Sequence, residues 1–528
     1  MGRPLAPLLS AALLSAALLS APLQGLSHFC LPYPSYPSDP SDPSYSSSLR
    51  TPNSFAAFPP NRYYSLVMKA HIQTYGCQMN EHDSFRIMEI LASLGYEPAQ
   101  SPEDASLVIV NTCSVRHNPE NKVYSYLGML RPIKERNPGL IVAVAGCVAQ
   151  QEGENLLKKS PVVNLVFGPD NYFRLPKMLD DVRAGKRVVM TDWAPGRERV
   201  QNFIPEPWLE HGHVDGCKAY IAISKGCNNF CTFCIVPHVR GREVSREPDN
   251  ILREARNLIA KGAREIWLLG QNVNSYKAGD TTFYHLLDEV SRLPLARIRF
   301  TSPHPKDWSN GLADLMADRP AICSQLHLPL QAGSDRVLKL MNRRHTIREY
   351  LDKVSYLKSR VPAVEIGTDL IVGFPTETDA EFEETLDVMR QLRFSQVFSF
   401  KYSPRPGTKA CGLGDDVPRD VKEDRLARLI ALQDQINAVQ MAAYVGGVYE
   451  VLIDGTHPRT PGVSSARTDG YRPVSIAADG LKVGDLIQVR ITGVKGHWLL
   501  GEVGRLRRTP TTSARRPSTP AATIKDEA

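Results

Sequence analysis

Three things are scarce in this 528-residue chain. Beyond residue 30 no apolar run approaches the length of a bilayer-crossing helix, which excludes an ordinary helical membrane protein. Positive charge is scarce outside the ends. Of the formal net +7, the stretch from Arg505 onward carries four charges and residues 1–67 carry one. The two left for the body say little about a polyanionic partner, so any basic face must be local. Fourth cysteines are missing as well. "KGCNNFCTFC" puts Cys227, Cys231 and Cys234 in one loop with no companion nearby. A closed tetrahedral zinc site wants four ligands, and a disulfide wants two. What is present is a normal globular mixture, 42% hydrophobic and 23% charged, in a chain long enough for roughly two to four domains.

The first 67 residues conflict with the rest. "LAPLLSAALLSAALLSAPL" looks like the apolar core of a secretory signal, and a Pro/Ser/Tyr-rich stretch follows to about residue 62. Export would bring disulfides. The downstream cysteines read instead as metal ligands, and Met68-Lys69 offers a second start directly before the first strand. We expect 1–67 to be a disordered leader outside the fold, either not translated or a targeting segment. The folded part is expected to be cytoplasmic and monomeric, without membrane association, and 507–528 to be a disordered basic tail.

From residue 69, apolar runs of strand length alternate with helix-like segments. "AHIQTYGC", "ASLVIVNTC", "LIVAVAGC" and "VVNLVFGPDN" alternate with segments such as "DSFRIMEILASLGY". This predicts an α/β fold that starts with a small open parallel sheet over 69–184. Residues 181–216 lose the period and read as linker. Six further units ("KAYIAISKGC", "AREIWLLGQNVN", "ARIRFTSPH", "SQLHLPLQAGS", "AVEIGTDLIVGFP", "FSQVFSFKYSP") predict a (βα)6 partial TIM-like barrel over 213–440. A helix with Leu426, Leu429, Ile430, Leu432 and Ile436 on one face closes it. Period-2 runs over 442–506 then predict a small β barrel.

Cys30, Cys217, Cys323 and Cys411 are isolated and expected to be incidental thiols. Cys77, Cys113 and Cys147 are far apart, yet each ends a predicted strand. In an open parallel sheet the carboxyl ends of neighbouring strands line one crevice, so three thiolates would converge there. Cys227, Cys231 and Cys234 follow the first barrel strand, at the face where barrel enzymes do chemistry. Zinc, completed by Cys217, His211 or His213, is one reading of this set. The other is a [4Fe–4S] cube, which takes four cysteines when closed and with three leaves one iron open.

CxxxCxxC on the first strand of such a barrel resembles the radical S-adenosylmethionine superfamily. There the open iron is filled by S-adenosylmethionine, whose reductive cleavage yields a 5′-deoxyadenosyl radical. Two three-cysteine sets ahead of a small β barrel resemble one branch, the methylthiotransferases, over residues 69 to about 506. Within the branch, "YGCQMNEHDS", "NTCSVR", "AGCVAQQEG", "GCNNFCTFCIVPHVRGREVSR", "LGQNVNSY", "LHLPLQAGSDRVLKLMNRRHT" and "YSPRPGT" are similar to members making 2-methylthio-N6-dimethylallyladenosine in tRNA. Other members act on threonylcarbamoyladenosine in tRNA or on a ribosomal-protein aspartate.

The resemblance implies two [4Fe–4S] clusters on the six cysteines and two uses of S-adenosylmethionine, one as radical source and one as methyl donor. It implies a sulfur donor and a C-terminal RNA-binding TRAM domain. As partners it implies a tRNA anticodon stem-loop, a flavodoxin or ferredoxin as electron donor, and iron–sulfur assembly proteins. Gly270, Gln271, Asn272 and Gln331 would face the cofactor from strand ends, and Gly373 would let adenine approach the backbone. Phe230 and Phe233 are expected to shield the cluster. Arg240, Arg242, Arg246, Arg343 and Arg344 are candidate phosphate contacts, as are Arg467, Arg472, Arg490 and Lys495 of the β unit. A zinc-dependent RNA-binding module remains the non-enzymatic alternative.

Overall fold

Strand–helix alternation governs the architecture up to residue 442. The computed structural model describes residues 68–114, 117–193 and 212–503, without the side chains of 117–121, and all of these lie in one compact unit. The leader, Cys30, His211 and the tail lie outside the described residues.

The first layer comprises β1 (Met68–Tyr75), α1 (Gln78–Ser93), β2 (Tyr96–Pro98), β3 (Leu107–Thr112), α2 (His117–Arg136), β4 (Ile141–Gly146), α3 (Cys147–Glu152), α4 (Glu154–Lys159), β5 (Leu165–Phe167), α5 (Leu175–Arg183) and β6 (Val188–Met190). The strands form one parallel sheet in the order β2-β1-β3-β4-β5-β6. β3 and β4 are apolar nearly throughout because helices cover both faces. Val108, Val110, Val142 and Val144 pack on one side, and Leu107, Ile109, Ala143 and Ala145 on the other. Burying each Val, Leu or Ile contributes roughly 1.5–3 kcal/mol. The stretch expected to be linker corrects the sequence reading. α5 runs to Arg183, β6 pairs with β5, and β7 lies within it. Strands of two or three residues are too short for a period to show.

The second region comprises β7 (Val214–Asp215), β8 (Lys218–Ala222), β9 (Ser224–Lys225), α6 (Val236–Val239), β10 (Val244–Ser245), α7 (Pro248–Ala260), β11 (Glu265–Leu269), β12 (Lys277–Ala278), β13 (Thr281–Thr282), α8 (Phe283–Ser291) and β14 (Arg297–Phe300). It continues through α9 (Asn310–Asp318), β15 (Gln325–His327), α10 (Asp335–Leu340), α11 (Ile347–Arg360), β16 (Glu365–Val372), α12 (Asp379–Leu392), β17 (Gln396–Lys401) and α13 (Arg419–Ala442). β8, β11 and β14 pair in parallel, as do β15, β16 and β17, and a parallel bridge between Ile298 and Ile322 joins the two groups. Among the described residues β17 and β8 do not pair, so the six-stranded barrel is open on one side. Helix starts follow local chemistry. Thr378 and Glu381 form a reciprocal capping box on α12, and Thr346 and Glu349 do so on α11. On α13, Leu429 and Ile436 are buried, but Ile430 is 44% exposed. One residue past Leu429 turns the helix by about 100°, which corrects its placement on the apolar face.

The last region, β18 (Val448–Thr456), β19 (Ser464–Thr468), β20 (Pro473–Ile476), β21 (Leu486–Lys495) and β22 (Trp498–Val503), closes as a barrel in the order β18-β19-β20-β22-β21. Its β19–β20 turn docks on the starts of the parallel strands. Buried Arg299 donates to the carbonyls of Thr468 and Asp469, Arg297 donates to that of Arg467, and Asp469 accepts from the Ser324 amide. Arg472 pairs with Glu365 at 2.5 Å. No described helix is long and apolar enough to cross a membrane.

Candidate active site between two cysteine sets

β1, β3 and β4 are neighbours in the sheet, and Cys77, Cys113 and Cys147 stand just beyond their carboxyl ends. The strand-end argument therefore holds for all three. Close approach is possible because of glycine. A Cβ on Gly146, at φ +87°, would lie 2.3 Å from Asn111 Oδ1 and 2.8 Å from the Thr112 carbonyl. The Cys113 thiol shares hydrogen bonds with both Cys77 and Cys147. Those bonds, with the charge of Arg240, hold the Cys77 thiol down at about 6 and Cys147 at about 7. The same bonds, and burial, push Cys113 up.

The barrel set is built locally. β9 leads into Gly226, at φ +79°, where a Cβ would meet the Arg242 carbonyl at 2.1 Å. The loop is then tied down by main-chain and side-chain bonds. Cys227 N–H donates to the Gly241 carbonyl at 3.1 Å, and Thr232 donates to the Met341 and Leu340 carbonyls. Asn342 donates to the carbonyls of Asn229 and Phe230. Burial pushes Cys227 up to about 11 and Cys234 to about 12. Iron would have to displace those protons on binding.

The two sets meet. Ile235 and Val239, just past Cys234, pack on Cys147. Arg240 Nε donates to Cys147 Sγ at 3.3 Å, while its Nη2 binds Asp83 at 2.7 Å. Lys225 pairs with Asp170 across the same boundary at 2.8 Å, both side chains nearly buried. Arg246 and Arg86 converge on the fully buried Glu254.

Among the described residues, no three His, Cys, Asp or Glu side chains are arranged to hold a metal ion as they stand. Cluster binding would exchange the thiol–thiol hydrogen bonds for iron–sulfur bonds. The donor sets suit iron–sulfur chemistry. The three thiols of each set are neighbours, and N–H donors reach sulfurs in both, as such clusters use. Asn229 N–H lies 3.5 Å from Cys227 Sγ, and Arg343 Nη1 lies 3.4 Å from Cys231 Sγ. Arg343 Nε is buried without a partner, ready for a sulfur acceptor. The fourth ligands considered for zinc are elsewhere. Cys217 lies at the opposite end of β8, bonded to the Ile453 carbonyl, and His213 stacks on Phe85 at 4.0 Å.

The arrangement agrees with comparisons to known proteins. Residues 69–168 match the uncharacterized protein family UPF0004, 221–389 the radical SAM superfamily and 442–503 the TRAM domain. The chain is 43% identical over 441 residues to tRNA-2-methylthio-N(6)-dimethylallyladenosine synthase of Geobacillus thermodenitrificans, covering 82% of this chain and 83% of that one. It is 44% identical over 439 residues to the enzyme of that name from Geotalea uraniireducens, covering 82% and 98%. The chain belongs to the radical S-adenosylmethionine methylthiotransferases. A solved structure of the radical S-adenosylmethionine methyltransferase TsrM from Kitasatospora setae, with cobalamin and a [4Fe–4S] cluster, aligns at TM-score 0.49 and 14% identity, covering 76% and 81%.

In this methylthiotransferase several supporting residues follow barrel strands. Gly270 ends the second barrel strand against Ser224, and Gln271 accepts from Gly226 N–H at the cluster loop. Asn272 holds the next loop, accepting from His304 N–H and donating to Asp307. Gln331, past the fourth strand, bridges to Leu370 with φ +83°. Others are corrected. A Cβ on Gly373 would lie 2.3 Å from Lys422 Cγ, so a side chain of α13, and not adenine, occupies that space. Phe233 packs on the barrel core, and Phe230 stacks under the Arg242 guanidinium at 4.2 Å.

The basic residues divide sharply. Arg240, Arg246 and Arg343 are 6, 3 and 4% exposed and bonded internally, so they are not phosphate contacts. Arg472, paired with Glu365, is not one either. Arg242, Arg344, Arg490 and Lys495 are exposed, and Arg467 is half-buried against Asp454. Sequence reasoning missed Asn342 as a clamp on the loop. It also missed buried His304 and His345, each with an unpartnered Nε2, beside one another at 5.8 Å. The signal available for His304 was its place at the end of a predicted barrel strand.

Proposed function

We propose that this methylthiotransferase replaces the C2 hydrogen of N6-dimethylallyladenosine, at position 37 of a tRNA anticodon stem-loop, with a methylthio group. Carrying the reading is one juxtaposition: two three-thiol sets, each lacking a fourth cysteine, with the segment that follows one packed on a cysteine of the other, in a chain whose relatives bear that enzyme's name. Cys227, Cys231 and Cys234 would hold one [4Fe–4S] cluster, and Cys77, Cys113 and Cys147 the second. When bound, the first cluster and one S-adenosylmethionine supply a carbon radical that takes hydrogen from an unactivated C–H bond, while a second S-adenosylmethionine supplies the methyl and a sulfur donor the sulfur.

The chain's residues position and enclose. Gly270, Gln271, Asn272 and Gln331 shape the cofactor side at the carboxyl ends of the barrel strands. Arg343 and Asn342 fix the loop carrying Cys231. Lys277, Lys306 and Arg344 border an open, polar recess with Asn228 and Asn229, suited to a nucleic-acid backbone. The C-terminal barrel docks at the far end of the parallel strands, about 17 Å away for the five residues of β8. RNA held by Arg490 and Lys495 would therefore run along the open side of the barrel to reach the clusters. An unpaired loop base suits such a site, because proteins read RNA mostly in single-stranded loops. Flavodoxin or ferredoxin would deliver electrons and iron–sulfur assembly proteins the clusters, to a monomer in the cytoplasm.

Nucleoside analysis of tRNA by mass spectrometry, with and without the protein, tests this. Deletion should remove 2-methylthio-N6-dimethylallyladenosine and leave N6-dimethylallyladenosine. Loss of a methylthio signal from threonylcarbamoyladenosine, or from a ribosomal-protein aspartate, would assign the other substrate.

A further inference from the structure

The dipeptide Arg240-Gly241 touches one cysteine of each set. The Gly241 carbonyl accepts from Cys227 N–H at 3.1 Å, and the Arg240 side chain donates to Cys147 Sγ at 3.3 Å. The guanidinium is 6% exposed and anchored on Asp83 at 2.7 Å, in the helix that Cys77 caps. One short segment thus spans the boundary between the sheet domain and the barrel at the point where their chemistry would meet. Ile235 and Val239, earlier in the same segment, close on Cys147 and exclude water from the contact.

We propose that Arg240 is a positioning residue that fixes the Cys147 corner of the second cluster relative to the radical loop and, through its charge and N–H···S bond, raises that cluster's reduction potential. The inference rests on the reading that Cys77, Cys113 and Cys147 hold a cluster. A buried cation stabilises the more negative, reduced state, and hydrogen bonds to the ligand sulfur act in the same direction. Because Arg240 also sets where Cys147 lies, its loss should misalign sulfur and substrate without touching S-adenosylmethionine binding.

The test uses the full chain, reconstituted anaerobically, as wild type, Arg240→Gln, Arg240→Lys and Asp83→Asn. An EPR-monitored redox titration reads the second cluster in a background where S-adenosylmethionine occupies the first. Arg240→Gln should lower the second cluster's midpoint and raise 5′-deoxyadenosine formed per methylthio product by roughly tenfold. Arg240→Lys keeps the charge but not the planar fork, so the midpoint should recover while the product ratio stays poor. Asp83→Asn frees the guanidinium from its anchor and should raise the ratio even if Arg240→Gln fails to fold. Unchanged midpoint and ratio in folded Arg240→Gln, or an unchanged ratio in Asp83→Asn, would overturn the inference. A wild-type chain holding a single cluster would remove the site reading first and the inference with it.

Discussion

The two cysteine sets are assembled by opposite routes. The barrel set is local: ten residues of one loop carry all three thiols, and main-chain bonds to Gly241 and Met341 and the Thr232 hydroxyl's bond to Leu340 hold it. The sheet set is topological, since its thiols are dozens of residues apart and meet only because β1, β3 and β4 are neighbours in the sheet. The first needs distant groups only to fix a loop that already carries its three thiols, while the second exists only when the whole sheet has folded. Their junction, with Arg240, Lys225 and Arg246 buried in it, makes the two regions depend on one another.

The largest effect that would break the comparison is on chemistry. Cys231→Ala should cut S-adenosylmethionine cleavage by about 1000-fold or more, while Cys147→Ala should leave cleavage and remove methylthio product. RNA affinity should stay within about twofold in both, measured by fluorescence anisotropy, because ligation and docking use different surfaces. If Cys147→Ala abolished cleavage as well, the sets would be one site.

Next comes the junction. Lys225→Met removes the buried cation that pairs with Asp170 and should cost up to about 3–5 kcal/mol in denaturant unfolding, and Lys225→Met with Asp170→Leu should regain most of it. A null effect of the single change would mean that the two regions are not mutually stabilising.

RNA contacts should be weaker and separable from fold. Arg490→Ala and Lys495→Ala should each reduce the slope of log affinity against log salt by about 0.7–0.9 with stability unchanged. Arg472→Ala should do the reverse, since it takes the paired cation from Glu365 and leaves it the Tyr444 hydroxyl. Removing that barrel altogether is a poor substitute, because it uncovers Arg299 and Arg297.

The smallest effect is a pH dependence. Arg336, bound to both oxygens of Glu381, holds that carboxyl down at about 2, against an ordinary 4.5. A depressed acid contributes stability that is present above pH 4.5 and lost as pH falls toward about 2. The urea midpoint of wild type should therefore drop between pH 5 and pH 3 more than that of Glu381→Gln. Equal drops would remove Glu381 from the acid response.

The sequence made the architecture legible where periods were long. Six barrel strands, the sheet and the C-terminal barrel all follow from apolar runs of four or more residues or from alternation. β2, β6 and β7 escaped because, unlike the equally short β5 and β15, they lie in no longer apolar or alternating run. The cysteine sets were legible because strand-end position fixes where a side chain goes in a parallel sheet. Arginine roles were not. Whether Arg240 faces a phosphate or a cysteine sulfur depends on the partner domain 93 residues away, and nothing local distinguishes it from exposed Arg242. Gly373 fails for the same reason, as its neighbour Lys422 comes from a later helix.

The central claim is that each three-thiol set holds its own open cube. Iron analysis with Mössbauer spectroscopy on anaerobically reconstituted full chain tests it most directly. We predict about eight irons per chain, falling to about four when Cys77, Cys113 and Cys147 are all replaced by Ala, and again to about four when Cys227, Cys231 and Cys234 are. About four irons in the wild type, unaffected by one of the two replacements, or zinc in place of iron, would contradict the account.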